Sequence, residues 1–164
     1  MNSNSEQTIK NTPQSEQLFL SRNGWLSISV SMMLMFKPLI SLSEGIKLMG
    51  FSLSNLIDSF ALINFIFLIV MLVKVFKSAR LLSGSSYWFG YLEDEFLEHI
   101  NNKGYKYGFI TLIIFTSFIT FGYDAFLSDF EGLTVSIIGS FCVSIGCFTY
   151  GITVLSYLKA SDDE

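Results

Sequence analysis

Four long apolar runs, separated by more polar segments, constrain this chain more than any other feature of its sequence. The clearest run covers residues 55–76, and its centre from Phe60 to Val73 carries only Asn64 as a strongly polar side chain. A helix needs about 20 apolar residues to cross the roughly 30 Å of hydrocarbon in a bilayer. The runs at 25–43, 55–76, 108–127 and 133–157 approach or exceed that length. The sequence therefore predicts an all-α integral membrane protein with four transmembrane helices.

The composition supports a membrane environment. Hydrophobic residues make up 51% of the 164 residues, and 17 of them are Phe. A soluble domain of this size buries only about 70% of the surface that its unfolded chain exposes, so one small core could not hide four such runs. The lipid bilayer is the expected surrounding. The formal charge of −4 and the lack of a basic-aromatic motif argue against a nucleic-acid partner.

The polar segments divide the chain into three parts. Residues 1–20 are predicted to be a flexible tail, residues 21–159 a multi-pass membrane domain folded as a four-helix bundle, and residues 160–164 an acidic C-terminal tail. Between the second and third spans, Leu92, Phe96 and Ile100 recur at intervals of four among acidic residues. This spacing predicts a short amphipathic helix, which we expect on the cytoplasmic side.

The distribution of Lys and Arg predicts the orientation. Cytoplasmic segments retain positive charge, and the two hairpin links hold only Lys47. Eight basic residues lie in the tails, the middle connector and the adjoining end of the second span: Lys10, Arg22, Lys74, Lys77, Arg80, Lys103, Lys106 and Lys159. We therefore expect both termini in the cytoplasm, in a bacterial-type inner (plasma) membrane.

Apart from Lys74 near the end of the second span, three charged residues fall inside the predicted spans: Lys37, Asp58 and Asp124. A charged side chain at the centre of a membrane helix costs about 2.5–3.5 kcal/mol on the insertion scale. In the predicted topology all three lie in the outer leaflet. They form a candidate charge cluster with three interpretations: an ion pair that holds helices in register, part of a pathway or ligand site, or separate side chains that extend to the interface.

The fourth span carries a candidate packing stripe of small residues. Gly132, Gly139 and Gly146 repeat every seven residues, and Gly151 belongs to an adjoining row of small side chains. Small residues allow membrane helices to approach closely. The stripe is expected to pack within the monomer or, alternatively, to form a dimer interface.

The sequence contains few of the groups that enzymes use. It has one His and no Gly-rich phosphate loop, CxxC pair or nucleophile elbow. We therefore predict no catalytic residue, no cofactor and no metal site. His99 is expected to be a solvated interfacial side chain, and Met32, Met33 and Met35 are expected to pack rather than to bind a soft metal.

These observations favour a noncatalytic accessory or interaction subunit that binds a membrane-protein partner or forms a homo-oligomer. The alternative is a small oligomeric transporter or channel whose path uses Lys37, Asp58 and Asp124. No motif in the sequence identifies a particular activity.

Overall fold

The computed structural model describes residues 12–43, 47–48, 51–80, 82, 91–122 and 135–162. These residues form four long helices: α1 (Pro13–Ser43), α2 (Leu53–Ala79), α3 (Glu95–Gly122) and α4 (Val135–Asp162). A two-stranded antiparallel ribbon between α1 and α2 pairs β1 (Lys47–Leu48) with β2 (Phe51–Ser52). The predicted all-helical character is confirmed apart from this small ribbon.

Three of the helices are long and apolar enough to cross a membrane: α2, α3 and the Ser136–Ser161 part of α4. This confirms the membrane character of the chain. Among the described residues, α1 does not reach the same threshold. Its N-terminal third is polar and includes Arg22 and Asn23.

The first helix begins earlier than the sequence suggested, so the prediction of a flexible tail over residues 1–20 is wrong for residues 13–20. Thr12 caps the helix, because its Oγ1 accepts the backbone N–H of Ser15 while the Ser15 Oγ accepts the N–H of Thr12. Pro13 then occupies the first helical position, where its fixed φ is favourable. Phe19 and Leu20 are buried against other helices, which stabilises this extension. At the other end of the chain, α4 continues to Asp162.

The short amphipathic helix that was predicted before the third span is not a separate element. It is the first part of α3, which runs without a break through the apolar segment. Asp94 caps the start of this helix, since its Oδ1 accepts the backbone N–H groups of Phe96 and Leu97. Gly104 does not interrupt α3, because it lies against Tyr150 and Val154 of α4, where a Cβ atom would not fit.

The helices are arranged in the order α2, α1, α4, α3. Helix α1 packs along both α2 and α4, whereas α3 packs mainly along α4. Within the described ranges, α2 packs closely against no helix other than α1. The arrangement of the described residues is therefore an open row. The predicted four-helix bundle is supported only as far as these successive helix pairs.

Neighbouring helices in the row are antiparallel. One apolar cluster joins Leu20 of α1 to Leu158 of α4 and includes Leu97 of α3. A second cluster joins Phe19 of α1 to Val75 near the end of α2. The start of α1, the end of α2, the start of α3 and the end of α4 thus lie together, and we call this region the basal end.

Candidate functional site

The first polar contact inside the helix row joins α1 to α2. The Ser29 hydroxyl donates to Asn64 Oδ1 at 3.1 Å, and Asn64 Nδ2 donates back to the Ser29 carbonyl oxygen at 3.0 Å. Both residues are buried. Because both side chains are buried between the helices, the reciprocal pair satisfies them and sets the register of α1 against α2.

The second polar contact joins α1 to α4. The Ser144 hydroxyl donates to the Ser31 carbonyl oxygen at 2.8 Å, and the two hydroxyl oxygens lie 2.9 Å apart. Since the Ser144 proton is already used, the Ser31 hydroxyl donates to Ser144 Oγ. Four residues earlier, the Ser27 hydroxyl donates to the carbonyl oxygen of Cys147 at 2.8 Å. The polar side chains on α1 therefore serve helix contacts on both sides.

Tyr150 connects three helices at the next level toward the basal end. Its hydroxyl accepts from Asn23 Nδ2 of α1 at 3.2 Å and donates to Asn101 Oδ1 of α3 at 2.9 Å. The ring of Tyr105 lies 4.9 Å from the Tyr150 ring, centroid to centroid. Asn23, Asn101 and Tyr150 therefore form a hydrogen-bonded junction between α1, α3 and α4.

The basal end contains a buried carboxylate. Glu16 is only 1% exposed, and its two carboxylate oxygens accept the backbone N–H groups of Glu93 and Asp94 at 2.9 and 3.0 Å. On the other side of α1, Arg22 Nη1 donates to the Lys74 carbonyl oxygen at 3.1 Å and to Ser78 Oγ at 2.6 Å. These bonds attach the first turns of α1 to the start of α3 and to the end of α2.

Two grooves follow the row of helices. The larger, of about 630 Å³, lies over α1 between α2 and α4 and is predominantly apolar. The smaller, of about 450 Å³, lies over α4 between α1 and α3. The larger groove is lined by Ser31, Met32, Met35, Phe36, Leu39, Phe60, Ile63, Asn64, Phe67, Ser144, Ile145 and Phe148.

The structure describes only part of the candidate charge cluster. Asp58 lies near the start of α2 with its side chain exposed. Position 37 belongs to the last part of α1, and the contact of Ser29 with Asn64 puts it about level with Asp58 in the antiparallel pair. Asp124 lies outside the described residues. The structure thus brings two of the three positions to a similar depth without describing a contact among them.

The members of the candidate packing stripe have different surroundings. A Cβ atom on Gly151 would lie 2.6 Å from the Gly24 carbonyl oxygen, and one on Gly146 would lie 3.1 Å from a methyl group of Leu112. Gly139 is exposed, and a Cβ atom there would meet nothing described within 4 Å. Gly132 lies outside the described residues. Close helix approach therefore occurs at Gly151, toward α1, and at Gly146, toward α3.

Sequence reasoning missed the polar residues that make the most contacts. Ser29 and Ser31 looked like ordinary small residues of a moderately apolar run, and Glu16 lay in the segment interpreted as a tail. Asn64 gave a usable signal, because it is a single amide in a long apolar run and such residues face a partner helix. His99 is exposed, and no group of three His, Cys, Asp or Glu that could hold a metal occurs among the described residues.

Comparison with known proteins provides no functional assignment. No protein-family model matches the chain, and no curated protein and no solved structure shows significant similarity to it.

Proposed function

We propose that this chain is a membrane protein that crosses the bilayer four times and acts as a noncatalytic interaction subunit. The crossing by α1 is supported by its place in the row. It packs along α2 and α4, both of which are long and apolar enough to span. Its buried hydroxyls at Ser29 and Ser31 are paired with these neighbours, so the cost of placing them in lipid is reduced.

We propose that the basal end, and with it both chain termini, faces the cytoplasm. This end carries most of the basic residues in the described ranges, namely Arg22, Lys74, Lys77, Arg80, Lys103, Lys106 and Lys159, whereas positions 37 and 47 lie toward the opposite end of the helices. Such an excess of positive charge is typical of the cytoplasmic side of a bacterial-type inner membrane. Reporter fusions at residues 82, 130 and 164 test the orientation. Activity of an externally active reporter at residue 82 or 164 contradicts it.

The open row is the observation that supports an interaction role. Helix α2 is a full-length apolar helix with one helical neighbour among the described residues, and its outer face exposes Leu62, Ile66 and Val73. The buried polar side chains that the structure describes are used in contacts between helices and leave no unpaired buried side-chain atom to receive a substrate. An edge helix of this kind can associate with a helix of another membrane protein through close packing.

The test is site-specific photocrosslinking followed by mass measurement of the complex in mild detergent. A photoreactive residue at Ile66, on the outer face of α2, is expected to crosslink to a protein partner. The matched control is Ile152, which is also exposed but lies on α4, a helix flanked on both sides. A particle with the mass of one chain and no protein adduct at Ile66 contradicts the interaction role, whereas a heteromeric adduct supports it.

A second candidate function is a small oligomeric transporter or channel that uses Lys37 and Asp58, with Asp124 as a third member. The observation in its favour is the similar depth of positions 37 and 58 in the antiparallel pair. The test is a double-mutant cycle with Lys37→Met and Asp58→Asn, measured both as stability and as uptake in vesicles. Transport is supported if the two substitutions reduce uptake in a coupled, non-additive way with little change in stability. Additive effects of the two substitutions on both uptake and stability contradict it.

A further inference from the structure

We propose that the larger groove is a binding site for one anionic phospholipid of the leaflet at the basal end, with an acyl chain lying over α1 and the phosphate held between Lys74 and Lys159. The site extends beyond the interaction role, since its ligand is a lipid and it lies on a different face from the outer side of α2.

The shape and lining of the groove fit a hydrocarbon chain. Its volume of about 630 Å³ lies within the range of small-molecule sites, and its walls are mainly Phe, Met, Ile and Leu side chains. The few polar side chains at its floor already form hydrogen bonds between helices: Ser31 with Ser144, and Asn64 with Ser29. An apolar chain in the groove therefore leaves those hydrogen bonds intact.

The groove starts at the level of Trp25, passes through the hydrocarbon of one leaflet, and continues along α1 as far as Leu39. Trp25 lies at its basal limit, where its ring packs edge-on against the groove residue Phe67 at 6.5 Å between centroids. Trp25 is 47% exposed, and amphipathic aromatic residues favour the boundary between headgroups and hydrocarbon. From Trp25 to Met35 the helix rises about 15 Å, which is about half of the hydrocarbon thickness. An acyl chain that starts beside Trp25 thus reaches the bilayer centre near Met35.

Two lysines continue the groove walls toward the basal end. Lys74 follows Phe67 by seven residues on α2, and Lys159 follows Phe148 by eleven residues on α4. Both spacings return to nearly the same side of an α-helix, and both lysines are exposed. The two ammonium groups thus lie on the groove sides of the two helices, beyond Trp25.

The chemistry selects an anionic headgroup. Lys74 and Lys159 add two positive charges at headgroup depth, and Arg22 lies beside Lys74, held by the Lys74 carbonyl oxygen. Basic pockets between membrane helices on the cytoplasmic side are suited to acidic phospholipids. The acyl chain of a zwitterionic lipid would fill the groove equally well, but its headgroup would not neutralise this excess of positive charge.

The test uses Trp25 as the reporter in a Trp88→Phe background. The protein is reconstituted in phosphatidylcholine vesicles that contain a small fraction of either brominated phosphatidylglycerol or brominated phosphatidylcholine, with the bromine on the acyl chain. Brominated phosphatidylglycerol is expected to quench Trp25 beyond its bulk fraction. Lys74→Gln and Lys159→Gln are each expected to reduce this enrichment about fivefold, the factor for about 1 kcal/mol per basic residue near the surface.

Matched controls separate the groove from general surface charge and from general lipid contact. Lys106→Gln removes an exposed charge from the basal part of α3, outside the groove, and is expected to preserve the enrichment. Met32→Phe narrows the groove and is expected to lower the quenching, whereas Ile113→Phe on the exposed face of α3 is not. Equal quenching by both brominated lipids, an equal loss with Lys106→Gln, or no effect of Met32→Phe would overturn the proposal.

Discussion

The buried carboxylate of Glu16 offers the sharpest test of the basal end. Each of its two oxygens accepts one backbone N–H, from Glu93 and from Asp94. In Glu16→Gln, the side chain keeps its length but has one acceptor oxygen, and its NH₂ group faces the second backbone N–H. The variant is therefore expected to lose one bond to the charged carboxylate. It also places two hydrogen-bond donors, the Gln NH₂ group and a backbone N–H, against each other.

The magnitude follows from the burial and from the number of bonds. A hydrogen bond to a charged group contributes about 1.5–3 kcal/mol, and a buried donor left unpaired costs about 1–3 kcal/mol. Part of this is offset because Gln avoids the desolvation of a charge. We expect Glu16→Gln to lower the free energy of unfolding by about 2 kcal/mol, and Glu16→Ala, which loses both bonds, by about 3 kcal/mol.

The assay is equilibrium unfolding in mild detergent, combined with hydrogen exchange at the backbone amides of Glu93 and Asp94. Glu95→Gln is the matched control, because Glu95 lies in the first turn of α3 with its side chain exposed. Faster exchange at both amides should accompany the loss of stability in the Glu16 variants only. If Glu16→Gln unfolds like Glu95→Gln and the two amides exchange at the wild-type rate, the carboxylate does not attach α1 to α3.

Two further predictions concern the contacts of α1. Gly151→Ala is expected to destabilise the fold by about 1–3 kcal/mol through overpacking, because its Cβ would lie 2.6 Å from the Gly24 carbonyl oxygen. The control is Gly139→Ala, whose Cβ would meet open space and which should leave thermal stability in detergent unchanged. Asn64→Leu and Ser29→Ala are each expected to cost about 0.6–2 kcal/mol, and a double-mutant cycle should show coupling; additive losses would mean that the two side chains do not bond in the membrane.

The sequence alone determined the membrane character of the chain, because the length of an apolar run is a local property. The runs that form α2, α3 and α4 are long enough to span a membrane, and their length does not depend on which helices pack against them. The helix ends were less accessible to sequence reasoning. The start of α1 depends on a local cap at Thr12 but also on the burial of Phe19 and Leu20, which requires the other helices.

The partners of the polar residues were decided only by the tertiary structure. Glu16 bonds to an amide 77 residues away, and Ser31 bonds to Ser144 across 113 residues. No spacing in the sequence encodes such pairs, since they depend on which helices become neighbours and in what register. The same holds for the stripe on α4: its glycines share a pattern, yet Gly151 contacts α1, Gly146 contacts α3 and Gly139 is exposed. Each helix in the row turns a different face to each neighbour, so equivalent small residues acquire different surroundings.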